Sequence, residues 1–120
     1  MAVAGKRKAK APPPIYIVSG GSGASGEQVV ESVLAQFPDV PVPVVRIAHV
    51  HHPTQIREVV RRASGANATI VHTLVDARLR QCLVAAARQK KVVAVDLMGP
   101  LLDRLSRILG RQPKGQPGLY

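Results

Sequence analysis

Three observations predict an α/β fold for this 120-residue chain, an open, mostly parallel four-stranded sheet with helices on both faces, Rossmann-like in architecture. Short β-branched runs alternate along the chain with segments of helical periodicity. Those runs are nearly continuous apolar stretches rather than alternating ones, the pattern of strands covered on both faces. Finally, 46% of residues are apolar but only 2% aromatic, so the core has to be aliphatic. A chain of this length is one domain's worth and can bury roughly 65% of its unfolded surface.

Residues 1–13 read as a disordered basic and Pro-rich tail, with Lys6, Arg7, Lys8 and Lys10 ahead of three prolines. The folded domain is expected over residues 14–110. Its first strand is Ile15-Tyr16-Ile17-Val18, followed by a glycine-rich loop and a helix that would bury Val29, Val30, Val33, Leu34 and Phe37 before Pro38 ends it. A second strand is predicted over residues 44–50. The helix after it would bury Ile56, Val59, Val60 and Ala63 and stop at Ser64-Gly65. A third strand over residues 69–75 leads to a helix using Leu79, Cys82, Leu83 and Ala86. A fourth strand over residues 92–97 precedes a helix that begins at Gly99-Pro100, uses Leu101, Leu102, Leu105, Ile108 and Leu109, and closes at Gly110. The strand order 2-1-3-4 fits these four βα units. Residues 111–120, with Gly and Pro and no periodicity, read as a linker.

Composition narrows the function classes. The single cysteine, Cys82, excludes an internal disulfide and a cysteine-based metal site, fits a reducing compartment, and lies on an apolar helix face where a buried, inert thiol is expected. No run approaches the ~18 apolar residues of a membrane span, and prolines stand where a signal peptide needs an apolar stretch, so a cytoplasmic protein with no membrane partner is expected. The net charge of +10 divides between the tail and arginines scattered over helical segments. Without aromatic platforms or base-reading motifs, that pattern favours a solvated surface attractive to acidic or phosphorylated partners over a nucleic-acid site. The oligomeric state is open, a homo-oligomer included.

In an open parallel sheet, ligands bind beyond the carboxyl ends of the strands, near a topological switch point. The loop Val18-Ser19-Gly20-Gly21-Ser22-Gly23-Ala24-Ser25-Gly26-Glu27 is the leading candidate there. Its glycines let backbone N–H groups approach an anion, and Ser19, Ser22 and Ser25 add hydroxyls at a helix N-terminus. It lacks the lysine of GxxxxGK[ST]; the next lysine along the chain is Lys90. Gly21, Gly23 and Gly26 match GxGxxG, yet no acidic residue closes the second strand. Phosphate binding, a purely structural turn with Ser22 or Ser25 as helix cap, and a dinucleotide site are the three readings. Thr73, Asp76 and Asp96 fall at the same sheet edge; Asp76 suits a helix cap, and Asp96 suits contact with a ligand or neighbouring loop. His49 and His51 would share one strand face, as zinc ligands do, but no carboxylate or thiolate completes a set, and no metal site is expected. His72, inside the third strand, reads as a satisfied core histidine.

Three stretches, IYIVSGGSGASGEQVVESVLAQFP, TIVHTLVDARLRQCL and VVAVDLMGPLLDRLSRILGRQPKGQPGLY, together resemble the N-terminal domain of the regulatory proteins of pyruvate, phosphate dikinase and phosphoenolpyruvate synthetase. The resemblance covers residues 15–120. It implies a bifunctional serine/threonine kinase and phosphorylase that uses ADP to phosphorylate a threonine of the dikinase or synthetase, and phosphate to remove the group with release of pyrophosphate. It also implies a nucleotide-binding P-loop in a C-terminal domain, toward which residues 111–120 would lead. The family's loop commonly opens with a serine-aspartate pair; here Ser19 keeps the serine and Gly20 replaces the aspartate. Ser22 and Ser25 stand where threonines are usual, while Gly23 and Glu27 match. By this reading the chain binds no cofactor of its own, holds no catalytic residue and is silent alone, with Ser19, Gly20, Gly21, Ser22, Gly23 and Ser25 as phosphate-binding candidates. Arg78 and Arg80, just past the third strand, are positioned to meet a phosphorylated partner.

Overall fold

The computed structural model describes residues 11–119; residues 1–10 of the expected tail lie outside them. Eight elements alternate: β1 (Ile15–Val18), α1 (Ala24–Leu34), β2 (Val44–Ile47), α2 (Pro53–Ala66), β3 (Thr69–His72), α3 (Ala77–Lys90), β4 (Ala94–Asp96) and α4 (Gly99–Leu109). All strands run parallel in the order β2-β1-β3-β4. The α/β class and the open four-stranded sheet are therefore those the sequence predicts. Among the described residues, no helix is long and apolar enough to cross a membrane.

The two faces of the sheet are unequally covered. One carries α2 and α3, whose Ile56, Val59, Val60, Ala63, Leu79 and Leu83 pack with Tyr16, Val18, Ile70 and Leu74 into the main core, with Cys82 and Ala86 at its margin. The other holds a thin cluster of Ile17, Val30 and Val71, edged by Ile15, Leu34, Val44 and Leu97. There the expected burial fails: Val29, Val33 and Phe37 of the first helical segment and Leu101, Leu105, Ile108 and Leu109 of α4 are exposed. Periodicity shows that a helix has an apolar face, but not how much sheet lies under it. Here α1 reaches the sheet along one row, and α4 follows the edge strand.

The strands also end earlier than predicted. His49 takes a left-handed φ of 56°, which breaks the run after Ile47. Beyond His72 and Asp96 the ladder continues only through Thr73 N–H to Val18 O (3.0 Å) and Leu97 N–H to His72 O (3.0 Å). The second helix passes through Ser64-Gly65 and stops at Asn67, whose left-handed φ of 54° serves where glycine was expected. Residues 111–119 form no regular secondary structure. Left-handed turns at Gly115 (φ 71°) and Gly118 (φ 75°) keep them against the sheet edge, with Pro117 against Gly20.

Gly26 sets the height of α1 above the sheet, since a Cβ there would lie 2.8 Å from Ile17 Cγ2 and 3.4 Å from Thr73 Cγ2. Gly26→Ala is expected to lower stability by about 1–3 kcal/mol through overpacking. Gly65→Ala, where a Cβ meets nothing within 4 Å, should raise it by about 0.5–1 kcal/mol. Urea unfolding of both variants checks the pair; a Gly26→Ala protein as stable as the parent would mean that α1 is not held at that height.

Candidate functional site

The chain turns from β1 to β2 on one side and to β3 on the other, so the switch point lies at the carboxyl ends of β1 and β3. The glycine loop fills it, and its backbone has one consistent orientation. The carbonyl of Ser19 accepts from Val50 N–H (2.9 Å), that of Gly21 from His49 N–H (2.9 Å) and that of Ser22 from Arg46 Nη1 (3.3 Å). The Gly20 carbonyl lies 2.8 Å from His51 Nε2, which donates to it. All four acceptors are thus turned toward the segment running from β2 into α2. No peptide bond among the described residues is cis, and in a trans peptide the N–H of the next residue points opposite to the carbonyl. The amides of Gly20, Gly21, Ser22 and Gly23 are therefore directed the other way.

On that other side lies a cleft of about 590 Å³ lined by Ser19, Ser22, Gly23, Thr73, Met98 and Lys114, among others. Gly21 N–H donates to Ser19 Oγ (3.0 Å) and Ala24 N–H to Ser22 Oγ (3.2 Å). The amides of Gly20, Ser22 and Gly23 have no acceptor among the described residues. Gly23, with φ 88°, is the residue before α1, where the helix dipole favours negative charge. Its Cα is backed by the Arg46 side chain, whose guanidinium also pairs with Glu27. Backbone amides without acceptors at a helix N-terminus are donors of the kind an anion can use. The volume of the cleft falls in the range of small-molecule sites.

Of the predicted site residues, the structure brings Ser19, Gly21, Ser22, Gly23, Ser25 and Thr73 to this cleft, with Gly20 buried just behind it. Asp76 and Asp96 are not part of it. Asp76 caps α3, accepting from Leu79 N–H (3.0 Å), and Asp96 caps α4, accepting from Met98 N–H (2.9 Å) and Gly99 N–H (2.7 Å). Arg78 is exposed. Arg80 instead turns inward, within 3.8 Å of both Asp96 and Asp103. The left-handed turn at His49 removes the shared strand face on which a zinc pair depended, and His51 is committed to the loop. Among the described residues, no group of three or more His, Cys, Asp or Glu gathers as a metal site would require.

Sequence reasoning missed three contributors. Arg46 and His51 lock the loop from behind, and the one advance sign was a charged residue within an apolar strand. Lys114 reaches the cleft from the C-terminal segment, and nothing in the sequence placed it near a loop some ninety residues earlier.

His72 departs from expectation. It is fully buried, yet neither ring nitrogen has a partner among the described residues; Asp96 Oδ1 stands 3.9 Å from Nδ1, beyond hydrogen-bond reach. Burial, with the Arg80 charge adding to it, holds the imidazole below its usual pKa, while Asp96 opposes them. A histidine kept neutral in the fold binds fewer protons than in the unfolded chain. Its stabilising share is therefore complete above pH ~6.5 and falls as the pH drops below that value. His72→Leu is expected to change stability by less than about 1 kcal/mol at pH 7.5, because the orphaned nitrogens go with the ring. It should also flatten the loss of stability between pH 6.5 and 5. Denaturant unfolding across that range checks this, and equal pH slopes in parent and variant would contradict it.

Comparison with known proteins adds a family. The kinase/pyrophosphorylase family model matches residues 15–120. The chain is 49% identical over 108 residues to a pyruvate, phosphate dikinase regulatory protein of Chloroflexus aurantiacus, covering 90% of this chain and 39% of that relative. A protein of the same name from Desulfotalea psychrophila is 41% identical over 106 residues, covering 88% and 38%. One from Geobacillus kaustophilus is 36% identical over 104 residues, covering 87% and 39%. The chain thus spans about two fifths of the length of these relatives. On a match that takes in every strand and helix of the fold, the chain belongs to the kinase/pyrophosphorylase family.

Proposed function

We propose that this chain is the phosphate-holding part of a cytoplasmic regulatory protein acting on pyruvate, phosphate dikinase or phosphoenolpyruvate synthetase. The whole activity would be ADP-dependent phosphorylation of a target threonine and phosphate-dependent removal of that group. The observation that carries the reading is the single orientation of residues 19–22, whose carbonyls are all tied to the β2–α2 side so that the following amides face the cleft. Ser19, Ser22 and Thr73 line the same space. A phosphoryl group would sit on these amides, and the body of a nucleotide would lie against Val75, Met98 and Leu102.

Binding and orientation are what these residues supply. Phosphoryl transfer also needs a group that takes the threonine proton and charges that follow the moving phosphoryl. Asp76 and Asp96 each hold a helix cap, and Gly20 stands where the family's aspartate would be. The chemical step therefore requires residues beyond this chain, and the chain alone is silent. Arg78, exposed on the first turn of α3, is the side chain offered to the dikinase or synthetase. A second reading, a phosphate- or nucleotide-binding module that works alone, rests on the same cleft.

An amide-resolved NMR titration with ADP, phosphate and pyrophosphate tests both. Saturable shifts at residues 19–27 are expected, and Gly23→Val should weaken binding at least tenfold, because Gly23 needs φ 88° and a Cβ would press on Arg46 Cγ at 2.8 Å. No shift at millimolar ligand would remove the phosphate role. Binding together with phosphorylation of the dikinase threonine by this chain alone would remove its silence.

A further inference from the structure

Residues 113–119 form the opposite wall of the glycine-loop cleft. The Pro117 ring lies against Gly20, with Cβ and Cγ 3.4 Å from where a Gly20 Cβ would stand, and its Cβ is 3.7 Å from the same point at Gly21. Gly115, in a left-handed turn, passes under the Val75 carbonyl. Lys114 and Leu119 face the cleft from this segment, opposite Val75, Met98 and Leu102. The wall therefore brings one cation and an apolar surface to a loop that by itself has only neutral donors.

A second feature inside the cleft asks for an acceptor. Ser19 lines it and is only 6% exposed. Its Oγ accepts from Gly21 N–H, but its own proton has no acceptor among the described residues. A phosphoryl oxygen on the loop amides would supply that acceptor. The charge of Lys114 would meet the same group from the other side, where a hydrogen bond between ionised partners is roughly twice as strong as a neutral one.

We infer that the site takes a phosphate monoester with an apolar or planar body, clamped between the glycine loop and residues 113–119, with Lys114 as its counter-charge. This rests on the phosphate-binding reading of the loop and goes beyond it in naming a second jaw and a ligand class. The body lies between Leu119 and the Met98–Leu102 side, and the phosphoryl lies on the amides of Ser22 and Gly23 near Ser19. Bare phosphate, lacking a body, would engage the loop and Lys114 without drawing on the apolar surface of the far wall.

The test titrates the full chain, by amide-resolved NMR, with AMP in one arm and inorganic phosphate in the other, for the parent and for Lys114→Gln. Lys114 is exposed, so the variant is expected to fold as the parent does. AMP should shift residues 19–25 and 113–119 with one common Kd, bind at least tenfold more tightly than phosphate, and weaken about tenfold in Lys114→Gln. Shifts confined to the loop, with equal AMP affinity in parent and variant, would overturn the inference and leave the loop reading standing. Equal affinity for AMP and phosphate would overturn the assignment of ligand class. No shift at residues 19–25 with either probe would overturn the loop reading and this inference together.

Discussion

The carboxyl edge of this sheet depends on where four carbonyl oxygens go. A glycine-rich loop before a helix is an anion site only if its carbonyls are kept out of it, since a carbonyl oxygen facing a phosphate repels it. Here the carbonyls of residues 19–22 are held by Val50 N–H, the His51 ring, His49 N–H and the Arg46 guanidinium. All these donors come from β2 and the turn into α2. The left-handed turn at His49 folds that segment back over the loop, and Gln55 Oε1 secures it by accepting from His51 N–H (2.7 Å) and His52 N–H (3.0 Å). The cradle on one side of the loop is thus a product of hydrogen bonds on the other.

The same dependence explains what could be read from the sequence. The alternation of strands and helices and the parallel sheet were legible because each follows from local pattern and chain economy, whereas the order β2-β1-β3-β4 fits the sequence without being fixed by it. Strand ends were not, because they are set by partners: β2 stops where His49 turns, and β4 stops where Asp96 leaves the ladder to cap α4. Burial on the α1 face was misjudged because periodicity counts apolar residues and not the sheet available to receive them. Within the site, Ser19, Ser22, Gly23 and Thr73 were legible from the glycines and the switch-point rule. Arg46, His51 and Lys114 were not, since their roles arise from chain folded back over a loop distant in sequence.

Charge is arranged to suit this division. Arg46 reaches the loop from behind, where Glu27 pairs with it, so it steadies the backbone without presenting its charge to the cleft. An exposed pair of this kind adds about 0–1 kcal/mol; its value lies in fixing the Ser22 carbonyl. Lys114 stands on the open side, on a segment with no regular secondary structure.

At the far end of the same edge, Asp96 joins three elements and leaves one need unmet. Its Oδ1 takes two amides of the α4 N-terminus, and its Oδ2 faces Arg80 of α3. Gly99 permits this convergence, since a Cβ there would overlap both Asp96 Oδ2 and Arg80 Nη1. His72, its neighbour in register, is then left at 3.9 Å from that carboxylate, beyond the ordinary range of about 2.7–3.2 Å for an N–H···O bond. The cap prevails because it satisfies two amides with one charged oxygen, each such bond contributing about 1.5–3 kcal/mol, against about 1–3 kcal/mol for the orphaned imidazole donor. The unsatisfied histidine is thus what the β3–β4 edge gives up so that α4 can start where Met98 and Leu102 meet the cleft.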